Sequence, residues 1–85
     1  MLYLISYDLR LGATTEDYQR IDAALTQFGA RRVLLSQWVV RSNYPAQTIY
    51  NYVASVTDAN DRLLVCEITT NWISSPNAMI DINTV

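Results

Sequence analysis

Eighty-five residues make one domain with a single thin core, since a chain of this size buries only roughly 60–65% of its unfolded surface. Apolar residues make up 51% and aromatic residues 11%, more than such a core hides, so the surplus is expected at an interface between copies. The net charge is −2, every basic residue is an arginine and histidine is absent, which argues against a basic nucleic-acid-binding domain and excludes a histidine base or histidine zinc site.

The chain opens on Met1-Leu2-Tyr3-Leu4-Ile5-Ser6-Tyr7-Asp8, a nearly unbroken apolar run that reads as a buried central strand. No basic segment precedes it, and no apolar run approaches the ~18 residues of a membrane span, so a cytoplasmic chain is expected. The strand ends in an acid before a polar loop. Chemistry in layered α/β structures collects where central strands end, so Asp8 stands where a functional carboxylate would stand.

After the loop, Thr14-Thr15 followed by Glu16-Asp17 is a helix start: threonine caps free amides and acids suit the positive end. Tyr18, Ile21, Ala24, Leu25 and Phe28 recur on one helical stripe, and Gly29 supplies the stop. Ala30 to Ser42 is extended, either as one long strand or as a hairpin with arms Arg31–Leu34 and Gln37–Arg41 around Leu35-Ser36. The turn lacks Gly and Asn, yet topology favours the hairpin. Asn43-Tyr44-Pro45 opens a second helix with Ile49, Tyr52, Val53 and Val56 on its stripe. A turn cluster at 57–61 leads into a strand over 62–69. The lone cysteine, Cys66, lies in that strand as a small hydrophobe, forbids an intrachain disulfide and fits a reducing compartment. A tail over 70–85 carries Trp72 and a last extended piece, Met79 to Val85.

The element order predicts an α+β fold, a ferredoxin-like βαββαβ sandwich with a core over about 1–69 and a C-terminal extension. Both helices cover one sheet face. A second protomer is expected on the other, with Met79 to Val85 adding a strand to the partner's sheet edge.

Three short motifs carry a family resemblance. Tyr3-Leu4-Ile5-Ser6-Tyr7-Asp8-Leu9 is similar to the opening strand of the small CRISPR-associated proteins of the Cas-two type, which partner the integrase in spacer acquisition. Arg32-Val33-Leu34-Leu35-Ser36-Gln37-Trp38 resembles that family's second signature: Arg-Val, two residues, Ser, one residue, aromatic. Asn60-Asp61-Arg62-Leu63-Leu64-Val65 resembles its acidic turn and following strand. The likeness to the small bacterial SinR-like branch of the superfamily is closer, and virulence-associated D-type toxins share the superfamily. The resemblance spans roughly residues 2–69. It implies a ferredoxin-like fold and a symmetric dimer in which Asp8 approaches its mate to hold a divalent metal, with Ser36 and Trp38 at the signature positions.

Magnesium suits that role, because it takes oxygen ligands, keeps several waters and needs only one or two carboxylates. It would activate water for phosphodiester attack. Asp8 is then the metal ligand and catalytic residue, with Ser36 auxiliary. Arg10, Arg31, Arg32 and Arg41 are the candidates for nucleic-acid contact, since guanidinium suits phosphate; for Arg31 and Arg32 a stabilising role at the helix end competes with it. Trp38 and Trp72 are assigned to the subunit interface ahead of base stacking. Two readings follow. One is a metal-dependent endonuclease or endoribonuclease, or a nucleic-acid-binding relative, with an integrase-type protein as a further partner. The other is a non-catalytic dimeric interaction module. The retained Asp8 favours the first. The low basic charge, with Arg10-Leu11-Gly12 where the family carries an acid, favours the second.

Overall fold

The structure, a computed structural model, describes residues 1–69 and 72–85. The elements run β1 (Leu2–Asp8), α1 (Thr15–Gln27), β2 (Arg31–Leu34), β3 (Gln37–Arg41), α2 (Ala46–Ala54) and β4 (Arg62–Ile68), with a 3-10 turn at Ile82–Thr84. They build a four-stranded antiparallel sheet in the order β2-β3-β1-β4. The hairpin alternative is the one adopted, with Leu35-Ser36 as its turn. Its turn has no residue at positive φ. The Tyr7 N–H, donating to the Ser36 carbonyl at 3.1 Å, ties it to the end of β1.

Strand parity divides the sheet. Tyr3, Ile5 and Tyr7 face the helices, where they form the main core with Ile21, Leu25, Trp38, Val40, Ile49 and Val53. The Thr14 hydroxyl accepts from the Asp17 N–H while the Asp17 carboxylate accepts from the Thr14 N–H, a reciprocal cap that starts α1. Gly29, at φ +91°, lets the chain leave the helix. Tyr18, expected on the buried stripe, is exposed. Phe28 lies 5.0 Å from the Tyr52 ring, and the Tyr52 hydroxyl donates to the Ala24 carbonyl, which joins the two helices. No helix among the described residues is long and apolar enough to cross a membrane.

The opposite sheet face differs from expectation. Residues 70 and 71, where the tail begins, lie outside the described residues. From 72 the tail returns over its own sheet: Ile82 is buried against Leu2, Val33 and Val39, with Ile80 and Val85 beside it. The Met79 N–H donates to the Val33 carbonyl at 3.0 Å. Met79 to Val85 is therefore not an extended strand. The Asp81 carboxylate accepts from the Asn83 N–H and the Thr84 hydroxyl donates to the Asp81 carbonyl, and these local bonds bend the segment into a turn. The tail covers β2, β3 and the Leu2 and Ile68 end of the β1–β4 pair, with Leu4 beside it. The Asp8 and Arg62 end of that pair stays bare, with Leu64 56% exposed and Cys66 half-buried beside it.

Candidate functional site

The end of β1 gathers the residues with chemical potential. Asp8 closes the strand directly opposite Arg62, the first residue of β4. Their closest approach, Asp8 Oδ2 to an Arg62 guanidinium nitrogen, is 3.8 Å, beyond hydrogen-bond reach. Both side chains are open to solvent, at 75% and 85%. A polar cleft of about 390 Å³ lies alongside, lined by Asp8, Leu9, Arg10, Leu11, Asn60 and Arg62. Ser36 belongs to the same end of the sheet, through the bond its carbonyl accepts from Tyr7. Asp8 and Ser36 are thus neighbours in space as well as in the signature pattern.

Arg10 enters this region already committed. Its guanidinium donates to Asp61 Oδ1 at 3.2 Å and to Asp17 Oδ2 at 2.9 Å, and its backbone N–H donates to Asp61 Oδ1 at 2.8 Å. The Asp61 side chain is only 2% exposed and also accepts from the Asp58 N–H. Burial works against its charge. The Arg10 and Asp58 amides and the Arg10 guanidinium outweigh that, and its pKa lies below the ordinary carboxylate value. The Thr14 amide and hydroxyl, with Arg20 and Arg10, pull Asp17 from 3.8 down to about 2. Asp61 holds Arg10 in return, so the Arg10 pKa lies above its usual value.

The other candidates do not converge on Asp8. Arg31 and Arg32 are adjacent in sequence and so point to opposite faces of β2. Arg31 donates to the Thr84 hydroxyl of the tail at 3.0 Å. Arg32 turns to the helix face, where it pairs with Asp22 and stacks 4.8 Å from the Trp38 ring centre. Tyr7 completes that group by donating to Asp22 Oδ1 at 2.8 Å. Burial, then Asp22, raises the Tyr7 pKa, and Asp22 raises that of Arg32. Arg41 pairs with Leu2, at the far end of the sheet from Asp8, and its Nε donates to the Val85 carbonyl oxygen. Trp38, expected at a subunit interface, is buried in its own core, because its register opposite Ile5 turns it toward the helices. Trp72, at 37% exposure, remains on the surface.

The charge pairing is what sequence reasoning missed. Asp17 reads only as a helix-start acid and Asp61 only as part of a turn, and Asp22 draws no reading, yet the three hold Arg32, Arg10 and Arg20. The one local signal is Asp17 three residues after a threonine cap. Among the described residues, no three histidine, cysteine or acidic side chains converge to hold a metal. Asp8 faces solvent with Arg62 as its charged neighbour at 3.8 Å. No protein-family model matches the chain, and no curated protein matches it.

Proposed function

We propose that this chain is a small homodimeric interaction module of ferredoxin-like architecture that does not cleave nucleic acid. The strand order β2-β3-β1-β4 with both helices on one face supports the architecture and the kinship with Cas-two-like proteins. The observation that carries the function is the fate of the arginines. Five of the six donate hydrogen bonds or pair closely within the described residues, at separate places on the molecule. A binder of nucleic acid needs an uncommitted cationic track along the phosphates, and among the described residues the arginines form none. The domain works in the cytoplasm, where Cys66 stays reduced.

The second reading, a magnesium-dependent nuclease with nucleic acid and an integrase-type protein as partners, is favoured by the exposure of Asp8 beside a polar cleft and Ser36. When bound, a divalent cation between two Asp8 carboxylates would supply an activated water. One assay separates the readings: wild type and Asp8→Ala against single- and double-stranded DNA and RNA, with and without Mg²⁺. The interaction module leaves every substrate intact. Cleavage by wild type that needs Mg²⁺ and is lost in Asp8→Ala would establish the nuclease.

A further inference from the structure

We infer that Arg62 takes the place of a shared cation at Asp8: in a face-to-face pair of chains, Asp8 of each copy meets Arg62 of the other across the bare end of the β1–β4 pair. The inference rests on the dimeric reading above and specifies its contact.

Parity and register supply the surface. Asp8, Ser6 and Leu4 of β1 share a face with Arg62, Leu64 and Cys66 of β4, each directly opposite its counterpart. The chain's own tail covers β2, β3 and the Leu2 and Ile68 end of the β1–β4 pair, and leaves open the end that carries Asp8, Arg62 and Leu64. Leu64 stands 56% exposed at its centre with the acid and the base at its corner.

That patch is self-complementary. A two-fold axis running along the strands, between β1 and β4, exchanges the members of each cross-strand pair. Asp8 then lies over Arg62 of the second copy and Ser6 over Leu64 of the second copy, the isologous contact a closed dimer requires. Facing sheets pack about 10 Å apart, a gap that an aspartate and an arginine projecting from opposite sides together span.

Arg62 is the arginine left over for this role. At 3.8 Å from Asp8 it is the one arginine among the described residues that forms neither a hydrogen bond nor a close ion pair. Two Asp8 carboxylates brought to one interface would repel unless a positive group came with them. A guanidinium from each copy supplies it, with no metal.

The sheet's edges point the same way. The β2 edge is short, carries a register shift between Arg32 and Leu34, and is capped by the tail at Val33. The β4 edge runs seven residues with unbroken register and no proline. Proteins blunt exposed edges, and β4 has none of the devices that β2 has. In the proposed pair, each tail lies beside the other copy's β4.

The test is self-association of the full chain by analytical ultracentrifugation, for wild type, Asp8→Arg, Arg62→Asp and the double exchange. Both side chains are largely solvent-exposed, and circular dichroism confirms that each variant is folded. Each single reversal sets like charges together twice per dimer and weakens association by roughly tenfold or more; the double exchange restores it. Wild-type association is the same in EDTA and in Mg²⁺. A dimeric wild type with equally dimeric single variants, or a dimer tightened by Mg²⁺, would overturn the inference and leave the dimer standing. A wild type that stays monomeric at micromolar concentration would overturn the dimeric reading itself.

Discussion

Arg10 and Asp61 clamp the exit of β1 to the entry of β4: one carboxylate oxygen receives both the Arg10 amide at 2.8 Å and its guanidinium at 3.2 Å, while the other receives the Asp58 amide at 2.8 Å. A residue that sequence reasoning offered to phosphate is thereby part of the scaffold that positions Asp8. Asp61→Ala leaves two backbone donors without acceptors in a covered site. We expect a loss of about 1–3 kcal/mol in urea unfolding at neutral pH. A variant as stable as wild type would show that water replaces the carboxylate without cost.

The clamp also sets the acid limit. Asp17 titrates at about 2 in the folded chain, and Asp61 also below its ordinary value. A folded pKa below the unfolded one means that the unfolded chain binds protons first. The stabilisation is complete above about pH 4, is lost progressively as pH falls through about 2, and leaves neutral stability flat. Thermal midpoints measured across that acid window should fall steeply for wild type and less steeply for Asp17→Asn. Parallel slopes in the two proteins would contradict the assignment.

On the helix face, Tyr7, Asp22 and Arg32 form a polar group against Trp38. Tyr7→Phe removes one donor and leaves the Asp22–Arg32 pair, at an expected cost of about 1 kcal/mol. Arg32→Ala abandons Asp22 and uncovers the indole, and the greater loss should appear together with a shift in Trp38 fluorescence. Equal stability of wild type and Arg32→Ala would return Arg32 to the pool of surface cations.

The tail depends on Ile82. Ile82→Ala removes the side chain that fills the space between Leu2, Val33 and Val39, and core truncations of this kind cost roughly 2–5 kcal/mol. Because the helix-side core is separate, the loss should fall on the tail: limited proteolysis should cut within 72–85 faster while the remaining domain resists. Cleavage at the wild-type rate would mean that Met79 and the arginines hold the tail without Ile82.

Much of this architecture was readable from local pattern. Leu2 to Asp8 carries the continuous apolar run of a central strand, and the threonine cap, the stripe from Ile21 to Leu25 and Gly29 bracket α1 with little ambiguity. The tail misled because Ile80 and Ile82 alternate as a strand would, while the short-range bonds of Asp81 decide the conformation. At the site, the placement of Asp8 follows from where its strand stops. The commitment of Arg32 to Asp22 could not be read, since it joins a strand to a helix through side chains ten positions apart.

Because β1 is central, the sheet joins the two ends of the described core: Leu2 pairs with Ile68 as well as with Arg41. During synthesis β1 emerges before both of its neighbours and is therefore among the last strands to be fully paired. Its β4 side stays open until Ile68 has cleared the ribosome, and the β3 hairpin can shield only the other. Such long-range closure slows folding and prolongs the exposure of Tyr3, Ile5 and Tyr7. Nascent chains of this protein should engage chaperones until β4 is made, and a circular permutant opened in the 57–61 turn, which places β4 and then the tail ahead of β1 and so shortens the separation of the two strands, should fold faster than the natural order.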